Sequence, residues 1–221
     1  MKNVMVYVNP KKDFDRESRF LVKFQIDNSF QLGWKEDDIL LLTNFPYEYG
    51  GIKATIVSNK NYCDFRPLSV KTITVANSKL DDCWVHDIDA FQLEPFDVDL
   101  KGYDLGCTDY GWSTKWCLGS YFYTKRAKDI LEKIRDTIYE IHNEDERALV
   151  HLTSKGLFTD RIKKLNITYN MGMRNIEENY KQAEKPLRVV HFHPTRAGLF
   201  DKFKPILNDR ILKLFRDYGI E

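Results

Sequence analysis

Two short segments carry the side chains best suited to chemistry. The first is Trp84-Val85-His86-Asp87-Ile88-Asp89-Ala90, an apolar run that ends in two carboxylates spaced i, i+2. On an extended backbone these carboxylates point to opposite faces, whereas a turn at a strand end aims both at one ion. Two hard oxygen donors suit Mg²⁺ or Mn²⁺, which keep several waters and take phosphate oxygens as further ligands. The competing reading is a solvated turn whose aspartates cap the next element. The second segment is Val189-Val190-His191-Phe192-His193-Pro194, followed by Thr195-Arg196-Ala197-Gly198. In an extended stretch His191 and His193 share a face, so either or both could meet an ion. Two carboxylates and one imidazole make a set that fits Mn²⁺; packed or surface histidines are the plainer alternative.

Three further stretches could serve a ligand. Asn143-Glu144-Asp145-Glu146 opens a helical pattern. Its acids either complement the helix dipole or stand as a base for a hydroxyl group. Thr108 to Trp116 mixes tyrosine and tryptophan with Thr, Asp, Ser and Lys, a composition that fits sugar stacking as well as core packing. Arg196, Lys202 and Lys204 could face a diphosphate or simply lie on a solvated helix face.

These groups need elements to position them. Val4–Val8, Asp38–Thr43, Ile52–Val57, Cys83–Asp87, Tyr121–Tyr123 and Arg188–Phe192 read as strands. Residues 17–32, 67–80, 127–141, 144–152 and 199–218 read as helices, with 127–141 the clearest amphipathic pattern. Strands without polar alternation, joined by crossovers long enough for a helix, predict a mostly parallel α/β sheet covered on both faces. Ligands in such sheets bind at the carboxyl ends of the strands. This rule gathers Asn9, Thr43, Asn44, Asp87 and Asp89 near one cleft.

Composition narrows the class. A chain of 221 residues, 43% hydrophobic and 14% aromatic, is long enough for one sizeable core with a C-terminal extension. Lys+Arg 34 against Asp+Glu 33 lacks the basic excess usual in nucleic-acid binders. Cys63, Cys83, Cys107 and Cys117 form no C-x-x-C pair and read as buried thiols rather than a zinc or redox site. No run approaches the ~18 apolar residues of a transmembrane helix, and the N-terminus enters a strand without a signal-peptide pattern. A cytoplasmic location is expected.

Together the D-x-D at 87–89 and the late histidines resemble the GT-A family of nucleotide-sugar glycosyltransferases. The resemblance implies a single Rossmann-like domain, with residues 1–93 as the nucleotide-binding half and 94–221 as the acceptor half. It implies Asp87, Asp89 and His191 or His193 as ligands of Mn²⁺ or Mg²⁺, which faces the diphosphate of the donor. Asn9, Thr43 and Asn44 fall where such enzymes meet the base and ribose. Arg66, Lys71 and His86 lie in or before the D-x-D strand, and Arg196 and Lys202 lie late; all are expected on the nucleotide. Leu118-Gly119-Ser120-Tyr121-Phe122 resembles the small-residue turn and strand that line the sugar site. The acids at 144–146 resemble the element near the donor sugar, with Asp145 and Glu144 as catalytic groups. The expected donor is a UDP-hexose and the acceptor a glycan or other hydroxyl compound. The late element reads His-Phe-His-Pro where the family has His-x-Gly, which leaves the third ligand open between His191 and His193.

Three rivals remain at this level. A nucleotidyltransferase normally has a glycine-rich phosphate loop after its first strand, and here that position reads Asn9-Pro10-Lys11-Lys12-Asp13. A metal-dependent hydrolase or nuclease needs more acids at other strand ends. A carbohydrate-binding module would use the tryptophan-rich stretch without a metal.

Overall fold

The structure is a computed structural model that describes residues 1–109 and 115–220. In chain order the elements are β1 (Lys2–Tyr7), α1 (Arg16–Gln31), β2 (Ile39–Thr43), β3 (Glu48–Tyr49), β4 (Ile52–Lys53) and β5 (Thr55–Ile56). Then come α2 (Val70–Ala76), β6 (Cys83–His86), β7 (Ala90–Gln92), β8 (Leu105–Thr108) and β9 (Cys117–Tyr123). The C-terminal part holds α3 (Lys128–Ile141), α4 (Asp145–Ser154), β10 (Ile162–Leu165), α5 (Ile176–Gln182), β11 (Val189–His191), α6 (Leu199–Phe203) and α7 (Asp209–Asp217).

Seven strands form the main sheet in the order β10-β8-β9-β6-β1-β2-β5. β6, β1, β2 and β5 run parallel, as the unbroken apolar pattern of their sequences predicts. β9 runs antiparallel to both β6 and β8. Its N-terminal residues therefore lie beside the carboxyl end of β6. A small antiparallel pair, β7 with β11, sits apart and joins residues 90–92 to residues 189–191.

One face of the sheet is covered by α2, α3 and α4, with Val4, Val85 and Tyr121 packed against Ile130, Ile134 and Leu149. On the other face α1 carries buried Val22 and Ile26 against Met5 and Leu41. A third apolar cluster binds α1 to the C-terminal segment through Phe24, Phe91, Phe192, Phe203 and Phe215. Polar residues inside α1 have a specific task. Gln25 Nε2 donates to the carbonyls of Ile88 (3.0 Å) and Ala90 (2.9 Å), and Asn28 Nδ2 donates to that of Gln92 (3.0 Å). Buried amides here satisfy carbonyls that no neighbouring strand reaches.

Several boundaries differ from those expected. Ile52–Val57 divides into β4 and β5, and the helix expected over 67–80 is a 3₁₀ turn at Pro67–Ser69 followed by α2. The helix expected over 199–218 divides into α6, a 3₁₀ turn at Lys204–Ile206 and α7. Pro205 lies in that turn and lacks the N–H needed to continue a helix.

Candidate active site

A cleft of about 320 Å³ opens at the carboxyl ends of β1 and β6. Its lining includes Tyr7 from β1, Lys71 from α2, Asp87 and Asp89 from the turn after β6, and Gly119 from β9. Glu144, Asp145 and Glu146 from the start of α4 and His191 and His193 from the β11 end complete it. The two segments with metal-ligating character thus meet, although about a hundred residues separate them in the chain.

The D-x-D turn is fixed from several sides. His86 is fully buried; its Nδ1 meets the Asp87 carbonyl at 2.8 Å and its Nε2 meets Asn3 Oδ1 at 2.8 Å. Asn3 in turn donates to Ser29 Oγ on α1 (2.9 Å). The Asp87 N–H donates to the Gly119 carbonyl (2.8 Å), and the Phe192 N–H donates to the Asp89 carbonyl (3.1 Å). That last bond ties the aspartate turn directly to the His-Phe-His segment.

Asp87, Asp89 and His191 each offer one ligand atom, and the three atoms lie within 4.8 Å of one another. His191 Nε2 stands 3.2 Å from Asp89 Oδ1 and 3.5 Å from Asp87 Oδ2. His193 Nδ1 reaches only Asp89, through Oδ2 at 3.1 Å. Burial works to raise the Asp89 carboxyl, but the two imidazoles outweigh it and hold the group well below the usual carboxylate range. Burial likewise opposes a charged His191, yet Asp89 and Asp87 prevail and raise its pKa.

Space for the His191 ring comes from Gly119. A Cβ at that position would stand 2.4 Å from His191 Cε1 and Nδ1 and 3.2 Å from Asp87 Oδ2. On another wall Lys71 Nζ, almost fully buried, donates to Asp87 Oδ1 (2.6 Å) and to the Leu118 carbonyl (2.5 Å).

At the start of α4, Asp145 is buried and accepts a hydrogen bond from the Thr72 hydroxyl, while its N–H donates to Ser69 Oγ (3.0 Å). Burial pushes its carboxyl up to about 7, against the pull of Lys71. Glu146 accepts from the Leu118 N–H (2.9 Å), and burial raises its pKa as well. Glu144 lines the cleft and lies 3.9 Å from Arg147.

Other residues marked in the sequence lie elsewhere. Asn9 and Asn44 hold each other: the Asn9 N–H donates to Asn44 Oδ1 (3.0 Å), and Asn44 Nδ2 donates to the Asn9 carbonyl (2.8 Å). Thr43 is buried and its hydroxyl donates to the Phe45 carbonyl. Neither these three nor Arg66, which donates to the Phe65 carbonyl at 2.8 Å, lines the cleft. His86 faces Trp84 in a stack 3.9 Å between centroids and has no surface to offer a ligand. Arg196 is exposed in the turn after β11, and Lys202 lines a separate cavity with Met173, Asn175 and Pro205. Of the aromatic stretch, Trp116 is buried and donates to Thr153 Oγ1 (3.1 Å), while residues 110–114 lie outside the described residues.

No family model and no curated protein matches the chain. Solved structures do. Galactosyltransferase LgtC in complex with donor and acceptor sugar analogues aligns over 99% of this chain and 100% of its own, at 13% identity and a TM-score of 0.61. The glycosyltransferase GlyE of Streptococcus pneumoniae TIGR4 aligns over 100% of this chain and 65% of its own, at 14% identity and a TM-score of 0.63. A glycosyltransferase involved in glycosylation of the major capsid of PBCV-1 aligns over 93% and 98%, at 11% identity and a TM-score of 0.57.

The fold is that of the GT-A glycosyltransferases.

A GT-A fold implies a divalent cation at its D-x-D, and the residues present fit one. Two carboxylate oxygens and an imidazole form a hard, mixed O/N donor set of the kind that takes Mn²⁺ or Mg²⁺. Gly119 leaves the room that the imidazole needs. Among the cleft residues not singled out one by one in the sequence are Tyr7, Leu68 and Glu146. Glu146 stands in the marked acidic run, and Tyr7 ends the first expected strand. An exposed leucine such as Leu68 has no sequence signal of its own.

Among the described residues no helix is long and apolar enough to cross a membrane.

Proposed function

We propose that the chain is a metal-dependent glycosyltransferase that moves a sugar from a nucleotide diphosphate sugar, UDP-hexose by resemblance, to an acceptor hydroxyl. One observation carries the reading: Asp87, Asp89 and His191 converge in the same cleft that Asp145 and Glu144 enter from α4. A Mn²⁺ or Mg²⁺ ion held by those three ligands would neutralise charge on the departing nucleoside diphosphate.

The chain's own residues take the remaining tasks. Lys71 adds a fixed positive charge beside Asp87, at the place where a diphosphate would lie. Tyr7 offers an aromatic face at the end of β1, and the Asn9–Asn44 pair fixes the strand ends where a base would be met. Asp145 is the group best placed to hold or deprotonate an acceptor hydroxyl. Its pKa of about 7 suits a base that works near neutral pH. Glu144 is a second polar contact for the sugar or acceptor. In this reading residues 1–93 bind the donor and 94–221 the acceptor. Four free, buried thiols agree with a reducing compartment such as the cytoplasm.

The test is a thermal-shift screen of UDP-, GDP-, ADP- and CMP-sugars, each with Mn²⁺, Mg²⁺ or EDTA, on wild type and Asp87→Ala/Asp89→Ala. A ligand bound only by the native state raises Tm by mass action. Metal-dependent stabilisation by one donor class, lost in the double variant, is the expected result. No shift at millimolar nucleotide sugar overturns the reading.

A further inference from the structure

A hydroxyl inside a helix commonly turns back to its own backbone, to the carbonyl four residues earlier. Ser29 on α1 donates in this way to the Gln25 carbonyl (2.7 Å), and Thr153 on α4 to that of Leu149 (3.0 Å). Thr72, fully buried within α2, does not. Its hydroxyl crosses to α4 and donates to Asp145 Oδ2. Ser69, just before α2, accepts the Asp145 N–H through Oγ (3.0 Å). One short segment therefore holds Asp145 both at its backbone and at one carboxyl oxygen. The other oxygen, Oδ1, accepts from the Glu146 N–H (2.9 Å).

Packing does not require a hydroxyl at this place. Valine has nearly the shape of threonine and brings no polar group into a buried site. The charged and titratable groups that face Asp145 are Lys71 on α2, Glu146 on α4, Asp87 after β6 and Tyr121 on β9, and Glu144 lines the same cleft. Among the described residues, Thr72 is the one whose side chain hydrogen-bonds the Asp145 carboxyl. Burial pushes that carboxyl up to about 7, while Lys71 and the Thr72 hydroxyl pull it down.

We propose that Thr72 is the positioning residue of Asp145, its hydroxyl holding the carboxylate toward the cleft in the form that takes the acceptor's proton. The inference rests on the reading of Asp145 as the acceptor's base. In that step the acceptor oxygen bonds the sugar carbon, and the bond from that carbon to the diphosphate breaks. The electron pair leaves with the diphosphate, and the hydroxyl proton passes to the Asp145 carboxylate. Thr72 itself touches no reacting atom. It acts through charge, because a donor on a carboxylate favours the ionised form, and only that form can receive the proton.

The test follows Asp145 in the full chain labelled with carboxyl-¹³C aspartate, metal-free, from about pH 5 to pH 9, a range that brackets the expected midpoint. Its resonance is assigned by its absence in Asp145→Asn. In parallel, UDP release to water from UDP-galactose and UDP-glucose is measured with Mn²⁺ over the same range. In Thr72→Val, the Asp145 midpoint and the acid limb of kcat are expected to move up together by about one pH unit or more, the shift that a lost hydrogen bond to a charged group brings. Thr72→Ser keeps the hydroxyl and should bring both back. Thr72→Ala makes the same demand if valine disturbs the packing.

A purely structural tie between α2 and α4 would lower Tm, or lower kcat equally at every pH, and leave both midpoints in place. That result overturns the positioning role, as does an acid limb that stays put while the carboxyl midpoint moves. Two other results reach further. Full activity in Asp145→Asn removes Asp145 as the base, and no UDP release by wild type removes the transfer reading; the role of Thr72 falls with either.

Discussion

Gly119 and His191 pack so closely that a methyl group on the glycine would stand 2.4 Å from the imidazole. The contact is to a ring held by β11, whose backbone N–H bonds the Met171 carbonyl at 2.8 Å, so the ring has little freedom to withdraw. Gly119→Ala is expected to displace His191, weaken Mn²⁺ binding at least tenfold, and cost about 1–3 kcal/mol through overpacking. A Mn²⁺ titration together with urea unfolding checks both effects. Wild-type Mn²⁺ affinity in this variant would remove His191 from the ligand set.

Asp145 gives a pH signature. Its carboxyl titrates at about 7 in the folded chain, above its ordinary 3.8, because it is buried. Between those values the native state holds a proton that the unfolded state has lost, so this group's stabilising contribution is present at low pH and disappears as pH rises to about 7. Asp145→Asn removes the dependence. Its stability relative to wild type should therefore climb from pH 4.5 to pH 7, by at most roughly 1.4 kcal/mol per pH unit, and then level off. Urea unfolding of both proteins across this range measures it, and a flat difference would show that Asp145 ionises normally.

Asn44 is a joint between strand ends. Its buried side chain exchanges two hydrogen bonds with the Asn9 backbone and donates a third to Asn59 Oδ1 at 2.8 Å. Asn44→Ala removes three hydrogen bonds made by a buried side chain and should cost about 1–3 kcal/mol. Asn44→Asp keeps the acceptor but turns a carboxylate oxygen toward the Asn9 carbonyl and Asn59 Oδ1, and should cost at least as much as Asn44→Ala. Chemical denaturation of the three proteins gives the order.

Leu68 stands at the lip of the cleft with 79% of its surface exposed. Core packing does not explain it, so Leu68→Ser should leave stability within about 0.5 kcal/mol. A few-fold rise in KM for donor or acceptor, with kcat little altered, is the expected kinetic result. A large fall in Tm would instead assign the residue a structural role.

The sequence revealed the site's skeleton better than its lining. Asp87 and Asp89 were legible because a strongly apolar strand runs into them, and His191 and His193 because the same pattern recurs late in the chain. Two strands of the main sheet were missed for physical reasons. β8 is short and contains Gly106, which gives a weak strand signal, and β10 reads Ile-Lys-Lys-Leu, with lysines that suit a sheet edge but break an apolar pattern. His86 and Thr43 share the strand-end position of true cleft residues, yet both turn inward to buried partners. Spacing alone does not say which way a side chain turns at the end of a strand. The role of Gly119 depends on a residue more than seventy positions away, and only packing reveals such a contact.

The ladder between β7 and β11 pairs Ala90 with His191 and Gln92 with Val189. A slip of one residue would bring Phe192 to the place where His191 meets the aspartates, and would turn both imidazoles to the opposite side. The cluster of Asp87, Asp89 and His191 is therefore assembled only in a chain that has closed this ladder correctly. A misregistered copy would be silent rather than promiscuous, so in this architecture the capacity to act is itself a proofreading of the fold.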